Sequence, residues 1–382
     1  MIFRILEDQF AQKAREAKDA DLRFMQLALA LGKRGQGRTS PNPAVGAVVV
    51  KDGVIVGRGW TQPGGRPHAE PEALLRAGEA ARGATLYVTL EPCSHFGKSP
   101  PCADAVIAAG IKRVVAAIED PNPEVAGQGH ARLRAAGINV DVGLCAAEAA
   151  FDHAGHVRRI RDKRPHVILK LAVSPDGKIG AAGGKPVAIT GEAVRNRVHL
   201  LRAQSDAILV GIGTVLADDP LLTCRLPGMA ARSPVRVVLD QSLRIPGASR
   251  LIGSARETPL WVMGSELAEA AAATRLGATG AQVIRVPPAG ASGLDLPAVL
   301  HALAGKGITR LMVEGGSRVA SSFVAADLVD EIWLFRGAEA LGSGGVDALD
   351  ALPLSKITQS QAYKVHASET FDKDTLTIYE RA

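Results

Sequence analysis

The chain has 382 residues, 47% of them hydrophobic, which is enough for two domains of ordinary size that each bury their own core. Four cysteines are too few for a disulfide framework and predict a cytoplasmic location, while residues 1–21 lack the apolar core of a signal peptide and no stretch approaches the ~20 apolar residues of a membrane span. The formal net charge of +6 favours phosphorylated substrates over nucleic acid, because the chain contains no block of consecutive basic residues.

The first half of the chain alternates predicted helices and strands. Residues 1–20 are expected to form an N-terminal extension or a first helix, and Asp21 is placed as the N-cap of a helix that Gly32 ends. The elements that follow are a hairpin over 45–57 with an Asp-Gly turn, a helix opened by His68, a strand over 84–89 and a helix that begins at Cys102. Together they predict a first domain over residues 21–150.

Two segments of this domain have the composition of a catalytic zinc site. His68 with Cys93 and Cys102 would supply one imidazole and two thiolates, which leave the fourth position of tetrahedral Zn²⁺ open for water. Glu70 stands where zinc deaminases have a glutamate that transfers protons without binding the metal. The spacing departs from the usual deaminase signature, because eight residues, 94–101, separate the cysteines instead of two.

Residues 151–165 are basic, and we interpret them as the exposed end of the first domain and a linker, with a dedicated anion site as the alternative. The second domain is expected over residues 166–382, with a mostly parallel sheet flanked by helices. Strands are predicted over 167–172, 207–210, 235–239, 260–262, 283–286 and 311–314, and helices over 192–203, 266–276 and 296–304. Residues 331–335 and 375–379 are expected to add antiparallel strands at an edge.

The second domain has two polar loops that follow strands. After the strand over 207–210, the glycines at 211 and 213 do not complete a Rossmann fingerprint, because Leu216 occupies the position of the third glycine. Residues 314–317, before a predicted helix at 318–326, offer backbone amides for an anion, with Arg318 as added charge; the alternative is a tight turn that merely needs glycine. Residues 214–223, with Arg195 and Arg225 nearby in sequence, either hold a phosphorylated sugar or cap a turn.

Several segments of both halves resemble the bifunctional deaminase-reductase family of riboflavin biosynthesis, over nearly the whole chain. They are residues 39–46, 68–70, 89–102, 170–171, 174, 176–177, 201–203, 214–220 and 313–316. An eight-residue spacer between the two cysteines is typical of this family. The resemblance implies an α/β protein with an N-terminal cytidine-deaminase-like three-layer domain and a C-terminal dihydrofolate-reductase-like domain. It further implies zinc-dependent deamination of a diamino-ribosylamino-pyrimidinone phosphate at its C2 amine, then NADPH-dependent reduction of the ribosyl group to ribityl.

The resemblance also assigns roles to individual residues. Those expected in the deaminase are the Zn²⁺ ligands His68, Cys93 and Cys102, the proton donor Glu70, and the substrate contacts Asn42, His95 and Lys98. Those expected in the reductase are the substrate contacts Arg195, Leu222, Arg225 and Glu314, and the NADPH contacts Val173, Thr214, Asp218, Gly316, Ser317 and Arg318. Pro186 and Ala188 depart from the family, many members of which have Ser and Trp there, and Pro186 offers neither a hydroxyl nor an amide proton. We expect small phosphorylated pyrimidines as substrates, no nucleic-acid or membrane partner, and a homo-oligomer, either dimer or tetramer.

Two other functions are compatible with the residues alone. A nucleic-acid base deaminase with a C-terminal binding module would show salt-dependent RNA affinity and no need for NADPH. A zinc-stabilised scaffold that senses a nucleotide would bind zinc without releasing ammonia. Glu70 argues against the scaffold, and the lack of interleaved basic and aromatic residues argues against RNA.

Overall fold

The chain divides into two compact units, Met1–Asp162 and Lys163–Ala382. The structure is a computed structural model that describes residues 2–382 apart from 124, 185–186 and 291–292. Within these described residues, none of the helices has the length and hydropathy needed to cross a membrane.

The first unit contains a sheet with helices on both faces. Its elements are α1 (Ile2–Lys33), β1 (Gly46–Lys51), β2 (Val54–Trp60), α2 (Ala69–Ala77), β3 (Thr85–Val88), α3 (Cys102–Ala108), β4 (Arg113–Ala116), α4 (Gln128–Ala135), β5 (Asn139–Val142), α5 (Ala146–Asp152) and α6 (Ala154–Arg161). Within the described part of the chain, the strands form a five-stranded sheet in the order β2-β1-β3-β4-β5. β1 is antiparallel to β2 and β3, and the remaining pairs are parallel.

The predicted hairpin is confirmed. Asp52 and Gly53 both have positive φ angles, 50° and 78°, and Lys51 pairs with Val54. Two residues with φ above zero are what a type I′ turn requires, and this turn matches the twist of the flanking strands.

The three-layer arrangement predicted for this unit is also confirmed. Successive residues of β1 point to opposite faces of the sheet, as the period of a strand requires. Ala47 and Val49 pack in one core with residues of α2, α3 and α4, whereas Val48 and Val50 pack in the other with residues of α1 and α5. The first core lies directly beneath the helix starts that carry His68 and Cys102.

The structure contradicts one prediction about the ends of this unit and refines another. Asp21 is not an N-cap, because α1 continues through it; its carboxylate accepts hydrogen bonds from Arg113, at 2.9 and 2.7 Å, and from Tyr87. Most of the predicted linker is helical and belongs to the first unit. Its histidines are engaged there, since His153 Nε2 lies 3.0 Å from Thr89 Oγ1 and His156 Nε2 lies 3.1 Å from Asp120.

The second unit contains a large mixed sheet. Its elements are β6 (His166–Val173), β7 (Lys178–Gly180), α7 (Glu192–Ala203), β8 (Ala207–Gly211), α8 (Ile212–Asp218), β9 (Val235–Leu239), α9 (Arg250–Gly253), β10 (Leu260–Ser265), α10 (Ala270–Ala278), β11 (Gln282–Val286), α11 (Leu296–Gly305), β12 (Arg310–Val313), α12 (Ser317–Ala325), β13 (Glu331–Arg336), β14 (Val346–Asp347), α13 (Ser355–Thr358), β15 (Tyr363–Phe371) and β16 (Asp374–Arg381). Among the described residues, nine strands pair in the order β11-β10-β9-β8-β12-β6-β13-β16-β15, and β7 pairs with β14.

The interior strands of this sheet are buried on both faces. In β6, Val167 and Leu169 belong to one core and Ile168 to the other. Helices on each face are expected for parallel strands joined by helical crossovers, which explains the continuous apolar runs in the sequence.

The edge prediction needs a correction. β13 is an interior strand that pairs with β6 in parallel. The chain leaves β12, passes through α12 and enters β13 in the same direction as β12, as a helical crossover between parallel strands does. The antiparallel additions are β16 and β15, which form a hairpin beyond β13. β15 was not predicted, because most of its residues are polar and most of its side chains are exposed.

Candidate active sites

The first unit brings the three predicted zinc ligands together. His68 is the N-cap of α2, Cys102 begins α3, and Cys93 lies in the loop between β3 and α3. Their nearest ligand atoms all lie within 4.8 Å of one another. His68 Nδ1 lies 3.3 Å from Cys102 Sγ and 3.8 Å from Cys93 Sγ, so Nδ1 is the ring atom that faces the thiols. One nitrogen and two sulfur donors at this separation fit a tetrahedral Zn²⁺ that keeps one open position.

The protonation of this cluster also suits a metal. The hydrogen bond with Cys102 lowers the pKa of Cys93 to about 4, and the reverse effect raises that of Cys102. The backbone amide of Cys102 donates to Cys93 Sγ at 3.3 Å, which further stabilises a thiolate there. A thiolate already formed at neutral pH binds a soft cation without first releasing its own proton.

Glu70 lies in the first turn of α2, buried to 4% exposure beside the cluster. Burial raises the pKa of its carboxyl to about 7. A carboxyl with this pKa exchanges protons readily at neutral pH, which is the property required of a general acid and base. The structure therefore places a suitable proton carrier next to the three ligands.

Of the predicted pyrimidine contacts, Asn42 lies at the cluster and the other two lie on the spacer. Asn42 Nδ2 donates to Gly65 O at 2.8 Å and sits 3.3 Å from His68 Nε2, which restricts rotation of the imidazole. His95 and Lys98 are exposed on the spacer between the two cysteines. The spacer is tied to the segment before His68 by a hydrogen bond of 2.7 Å from Arg66 Nη1 to Ser99 Oγ.

Glu91 is a supporting residue that the sequence patterns did not single out. Its carboxylate is buried and accepts hydrogen bonds from the backbone amides of Asp120, Gly127 and His130, at 3.2, 2.9 and 3.1 Å. These bonds tie the segment before Cys93 to the loop after β4 and to the first turn of α4. A glutamate immediately before a Pro-Cys pair, in an otherwise apolar run, was the signal available in the sequence.

In the second unit, the predicted site residues gather at one edge of the sheet. Strands β8, β12 and β6 are adjacent and parallel, so their carboxyl ends meet at the same edge. Val173 ends β6, Thr214 lies just after β8 in α8, and Glu314 follows β12. Ligands of open α/β sheets bind at this edge.

Glu314 is the centre of a charged network. Its carboxylate accepts from Arg202 Nε and Nη2 at 3.1 and 2.9 Å, and from Lys170 Nζ at 3.3 Å. Burial acts to raise the pKa of Glu314, but the charges of Arg202 and Lys170 outweigh it and hold the pKa at about 2. The sequence predicted Glu314 alone, and the structure adds Arg202 and Lys170 as the groups that keep it ionised and fixed.

The other predicted reductase contacts for substrate lie around α7 and the loop after α8. Arg195 is exposed on α7, and its Nη1 donates to Thr190 O at 3.1 Å. Leu222 is buried with a φ of 57°, and the amide of Arg225 donates to His199 Nδ1 at 3.3 Å. Burial and the nearby guanidinium groups of Arg202 and Arg250 lower the pKa of Arg225, and the carboxylate of Glu314 acts in the opposite direction.

The predicted NADPH contacts are only partly assembled. Gly316 is the N-cap of α12 and its amide donates to Thr214 Oγ1 at 3.1 Å, which joins two of the predicted loops. Ser317 begins α12, whereas Arg318 is exposed and faces Asp350 at 3.5 Å, and Asp218 is exposed at the end of α8. Ala188 is exposed, and Pro186 lies outside the described residues.

Gly315 and Gly316, which lie between β12 and α12, differ in the space around each glycine. A Cβ atom on Gly315 would lie 2.9 Å from Val319 Cβ, so close packing explains that glycine. A Cβ atom on Gly316 would meet only Thr214 Oγ1, at 3.5 Å, so packing does not explain it. Open space over a glycine at a helix start fits the close approach of a phosphate group to the backbone.

The turn after β6 is fastened to a glycine-rich segment after β13. Asp176 accepts from the amides of Leu341 and Gly342 at 3.1 and 2.8 Å, and from Ser174 Oγ. The bond from Ser174 and the two amides lower the pKa of Asp176 to about 2. These bonds therefore fix the segment from Ser174 to Gly177, which follows Val173 at the edge of the sheet where the predicted site residues gather.

Comparison with known proteins matches both units. Residues 18–118 match the family of the cytidine and deoxycytidylate deaminase zinc-binding region, and residues 165–377 match the RibD C-terminal domain. The riboflavin biosynthesis protein RibD of Aquifex aeolicus is 41% identical over 364 residues, which cover 95% of this chain and 99% of the relative. The protein of the same description from Escherichia coli is 42% identical over 352 residues, 89% of this chain and 94% of the relative.

Solved structures give the same result. Acinetobacter baumannii RibD superposes with a TM-score of 0.84 at 35% identity and covers 96% of this chain and 99% of its own. A diaminohydroxyphosphoribosylaminopyrimidine deaminase/5-amino-6-(5-phosphoribosylamino)uracil reductase from Thermotoga maritima superposes with a TM-score of 0.83 at 37% identity, covering 96% and 100%. The likeness extends over both units and both candidate sites.

Proposed function

Because the chain belongs to the RibD family of riboflavin-biosynthesis enzymes, we propose that its two units divide the two reactions of that family between them. The protein is a bifunctional enzyme that uses Zn²⁺ and NADPH. It deaminates 2,5-diamino-6-(5-phosphoribosylamino)pyrimidin-4(3H)-one and then reduces 5-amino-6-(5-phosphoribosylamino)uracil to the ribitylamino product. The predicted fold class, a cytidine-deaminase-like domain followed by a dihydrofolate-reductase-like domain, is confirmed. This identity decides against the RNA deaminase and the nucleotide-sensing scaffold.

The first unit carries the deamination in this proposal. His68, Cys93 and Cys102 would hold Zn²⁺, whose role is to lower the pKa of a water toward about 7 and so supply hydroxide at neutral pH. Glu70 takes up one proton of the attacking water and delivers it to the ring nitrogen, and it then takes the second proton from the same oxygen and delivers it to the amine that leaves as ammonia. Its burial and its pKa of about 7 support this role, because the same group must accept and release a proton within one turnover.

The second unit carries the reduction. NADPH would supply a hydride to C1 of the sugar, and the protein's part is to orient the sugar and balance charge. Glu314 remains ionised beside Arg202 and Lys170, so it offers hydrogen-bond acceptors to sugar hydroxyls. Arg195 and Arg225 are the proposed phosphate contacts, and the guanidinium groups of Arg202 and Arg250 close to Arg225 support that assignment.

One observation carries the proposal: the ligand atoms of His68, Cys93 and Cys102 converge within 4.8 Å beside a buried glutamate. The test supplies the diaminopyrimidine ribotide with and without NADPH and follows ammonia and NADPH oxidation together. Ammonia released in both samples, followed by NADPH consumption in one, is the expected result. NADPH consumption before any ammonia, or no ammonia at all, would contradict the order of the two steps.

Two further points belong to the same proposal. We place the enzyme in the cytoplasm, because its four cysteines are free in the structure and a reducing compartment would keep the two zinc-site thiols available. We also propose that it forms a homo-oligomer, a dimer or a tetramer. Sedimentation of the purified protein at several concentrations tests the second point, and a mass of one chain at all of them would contradict it.

A further inference from the structure

We propose that His199 is a positioning residue of the reductase, whose imidazole accepts a hydrogen bond from the backbone amide of Arg225 and thereby fixes the guanidinium of Arg225 where the substrate phosphate binds. This inference rests on the proposed function of the second unit, in which Arg225 is a phosphate contact. It adds to that function a residue that was not among the predicted site residues, and it specifies the protonation state in which that residue acts.

One side of α7 carries the side chains that organise this region. Arg195, His199 and Arg202 follow one another at helical spacing, so they lie along one face of the helix. Arg202 Nη1 donates to Thr223 O at 3.1 Å, and His199 Nδ1 accepts from the amide of Arg225 at 3.3 Å. α7 therefore holds the backbone after α8 at two nearby points.

The same backbone segment is also fixed on its buried side. Leu222 and Cys224 are buried, and the amide of Cys224 donates to Ser233 Oγ at 3.1 Å. The side chain of Arg225 is exposed, and no carboxylate of the described residues forms an ion pair with its guanidinium. The amide that His199 accepts belongs to the same residue as this guanidinium, so the bond sets the point from which the charged side chain extends.

The bond from Arg225 specifies one tautomer of His199. A backbone amide can only donate, so Nδ1 must present its lone pair and the ring proton must lie on Nε2. Protonation of Nδ1 would place two N–H groups opposite each other and release the amide of Arg225. The proposed role therefore requires the neutral imidazole.

The surroundings of His199 favour the neutral form. Burial, followed by the guanidinium groups of Arg202 and Arg225, lowers the pKa of His199 from its ordinary value of 6.5. The carboxylate of Glu314, after β12, and the backbone of Thr223 act in the opposite direction. At pH 7 the ring is therefore mostly neutral and able to accept the amide.

The first experiment measures steady-state NADPH oxidation by the full-length protein with the deaminated ribotide as substrate. His199→Leu removes the acceptor and should raise KM for the ribotide about fivefold, while kcat and KM for NADPH stay within about twofold of the wild type. His199→Asn offers an amide oxygen to the same N–H group and should keep KM within about twofold at pH 7. His301→Leu, at an exposed position on α11, is the matched control and should change none of these constants.

A double-mutant cycle shows whether His199 acts through Arg225. In the Arg225→Ala background, His199→Leu should raise KM for the ribotide by no more than about twofold, because the guanidinium that it positions is already absent. The full fivefold effect in both backgrounds would mean that His199 acts independently of Arg225 and would overturn the inference.

The pH profile provides a measurement that a merely structural role would not change. KM of the wild type should rise as the pH falls from about 7.5 to about 5.5, because the imidazolium cannot accept the amide. The substrate phosphate also titrates, with a pKa of about 6, so the wild type is compared with His199→Asn, whose side chain does not titrate. The wild-type profile should be the steeper one, and parallel profiles would overturn the inference even if His199→Leu does not fold.

Failure of this inference is distinguishable from failure of the proposed function. Reduction of the ribotide by the wild type tests the reductase itself, and a raised KM in Arg225→Ala tests the phosphate contact. If both are observed while His199→Leu has the wild-type KM, only the role of His199 is contradicted. A wild-type KM in Arg225→Ala would contradict the phosphate contact and the inference together.

Discussion

Arg202 donates two hydrogen bonds to one oxygen of Glu314, from Nε at 3.1 Å and from Nη2 at 2.9 Å. The other oxygen of Glu314 accepts from Lys170 at 3.3 Å. Arg202 also donates from Nη1 to Thr223 O, at 3.1 Å, next to Leu222. One buried arginine therefore fixes both the carboxylate proposed to bind the sugar and the loop that carries two other proposed substrate contacts.

Replacing Arg202 with methionine should impair the reductase selectively. Loss of charge-assisted bonds to a part-buried carboxylate removes on the order of 1.5–3 kcal/mol, so kcat/KM for NADPH oxidation should fall by at least tenfold. Ammonia release should remain at the wild-type rate, because Arg202 belongs to the second unit. Arg275→Met, on the exposed face of α10, is the matched control and should alter neither reaction. A parallel loss of both activities would indicate unfolding and not a reductase role.

The same network predicts a pH dependence of stability. The pKa of Glu314 falls from its ordinary value of 4.5 to about 2 on folding, so its contribution is complete above pH 4.5 and is lost as the pH falls toward 2. The full contribution is on the order of 3 kcal/mol. Thermal unfolding measured from pH 7 to pH 3 should show a steeper loss for the wild-type protein than for Glu314→Gln. Parallel curves for the two proteins would contradict the ionised state of Glu314.

Glu70→Gln should separate metal binding from proton transfer. The variant keeps the three proposed ligands, so its zinc content should equal that of the wild type, while ammonia release falls about 100-fold or more. Reduction of the deaminated ribotide should continue at the wild-type rate. Removal of zinc with a chelator should likewise stop ammonia release and spare NADPH oxidation. Near-normal deamination by Glu70→Gln would rule out the proposed role of this carboxyl.

Arg195→Ala and Arg225→Ala test the phosphate contacts of the reductase. Each change removes one cation from the region between α7 and the loop after α8, and each should raise KM for the phosphorylated uracil substrate by about tenfold. KM for NADPH should change little, because the proposed cofactor contacts lie at the end of β6, in α8 and at the start of α12. If both variants oxidise NADPH with wild-type constants, the assignment of the phosphate site is incorrect.

Local patterns in the sequence predicted much of the fold and the zinc cluster. The strand over 235–239 and the helix over 192–203 were predicted with the bounds that the structure has, because each is a short periodic run between clear turns. His68 and Cys102 were expected near each other as ligands of one zinc ion, and in the structure His68 Nδ1 lies 3.3 Å from Cys102 Sγ.

Contacts between distant segments were beyond the reach of such patterns. Lys170 and Arg202 meet Glu314 across 144 and 112 residues, and nothing in their local sequence marks them as its partners. Asp21 was misread for the same reason, since its carboxylate is used by Arg113 far along the chain. Residues whose role depends on the packing of strands, and not on position within one element, could be recognised only after the sheet order was known.

Gly315 and Gly316 provide a matched pair that separates folding from cofactor binding. Gly315→Ala would bring a Cβ atom to 2.9 Å from Val319 Cβ, an overpacking that typically costs 1–3 kcal/mol, so the melting temperature should fall. Gly316→Ala meets only Thr214 Oγ1 at 3.5 Å and has a φ of −63°, which alanine adopts without strain, so stability should stay within about 0.5 kcal/mol of the wild type. The new methyl group would nevertheless occupy the space over the start of α12, where we place a phosphate of NADPH. KM for NADPH should therefore rise about tenfold in Gly316→Ala while ammonia release is unchanged. An unaltered KM would mean that both glycines serve only the turn between β12 and α12, and that the cofactor phosphates bind elsewhere along this edge of the sheet.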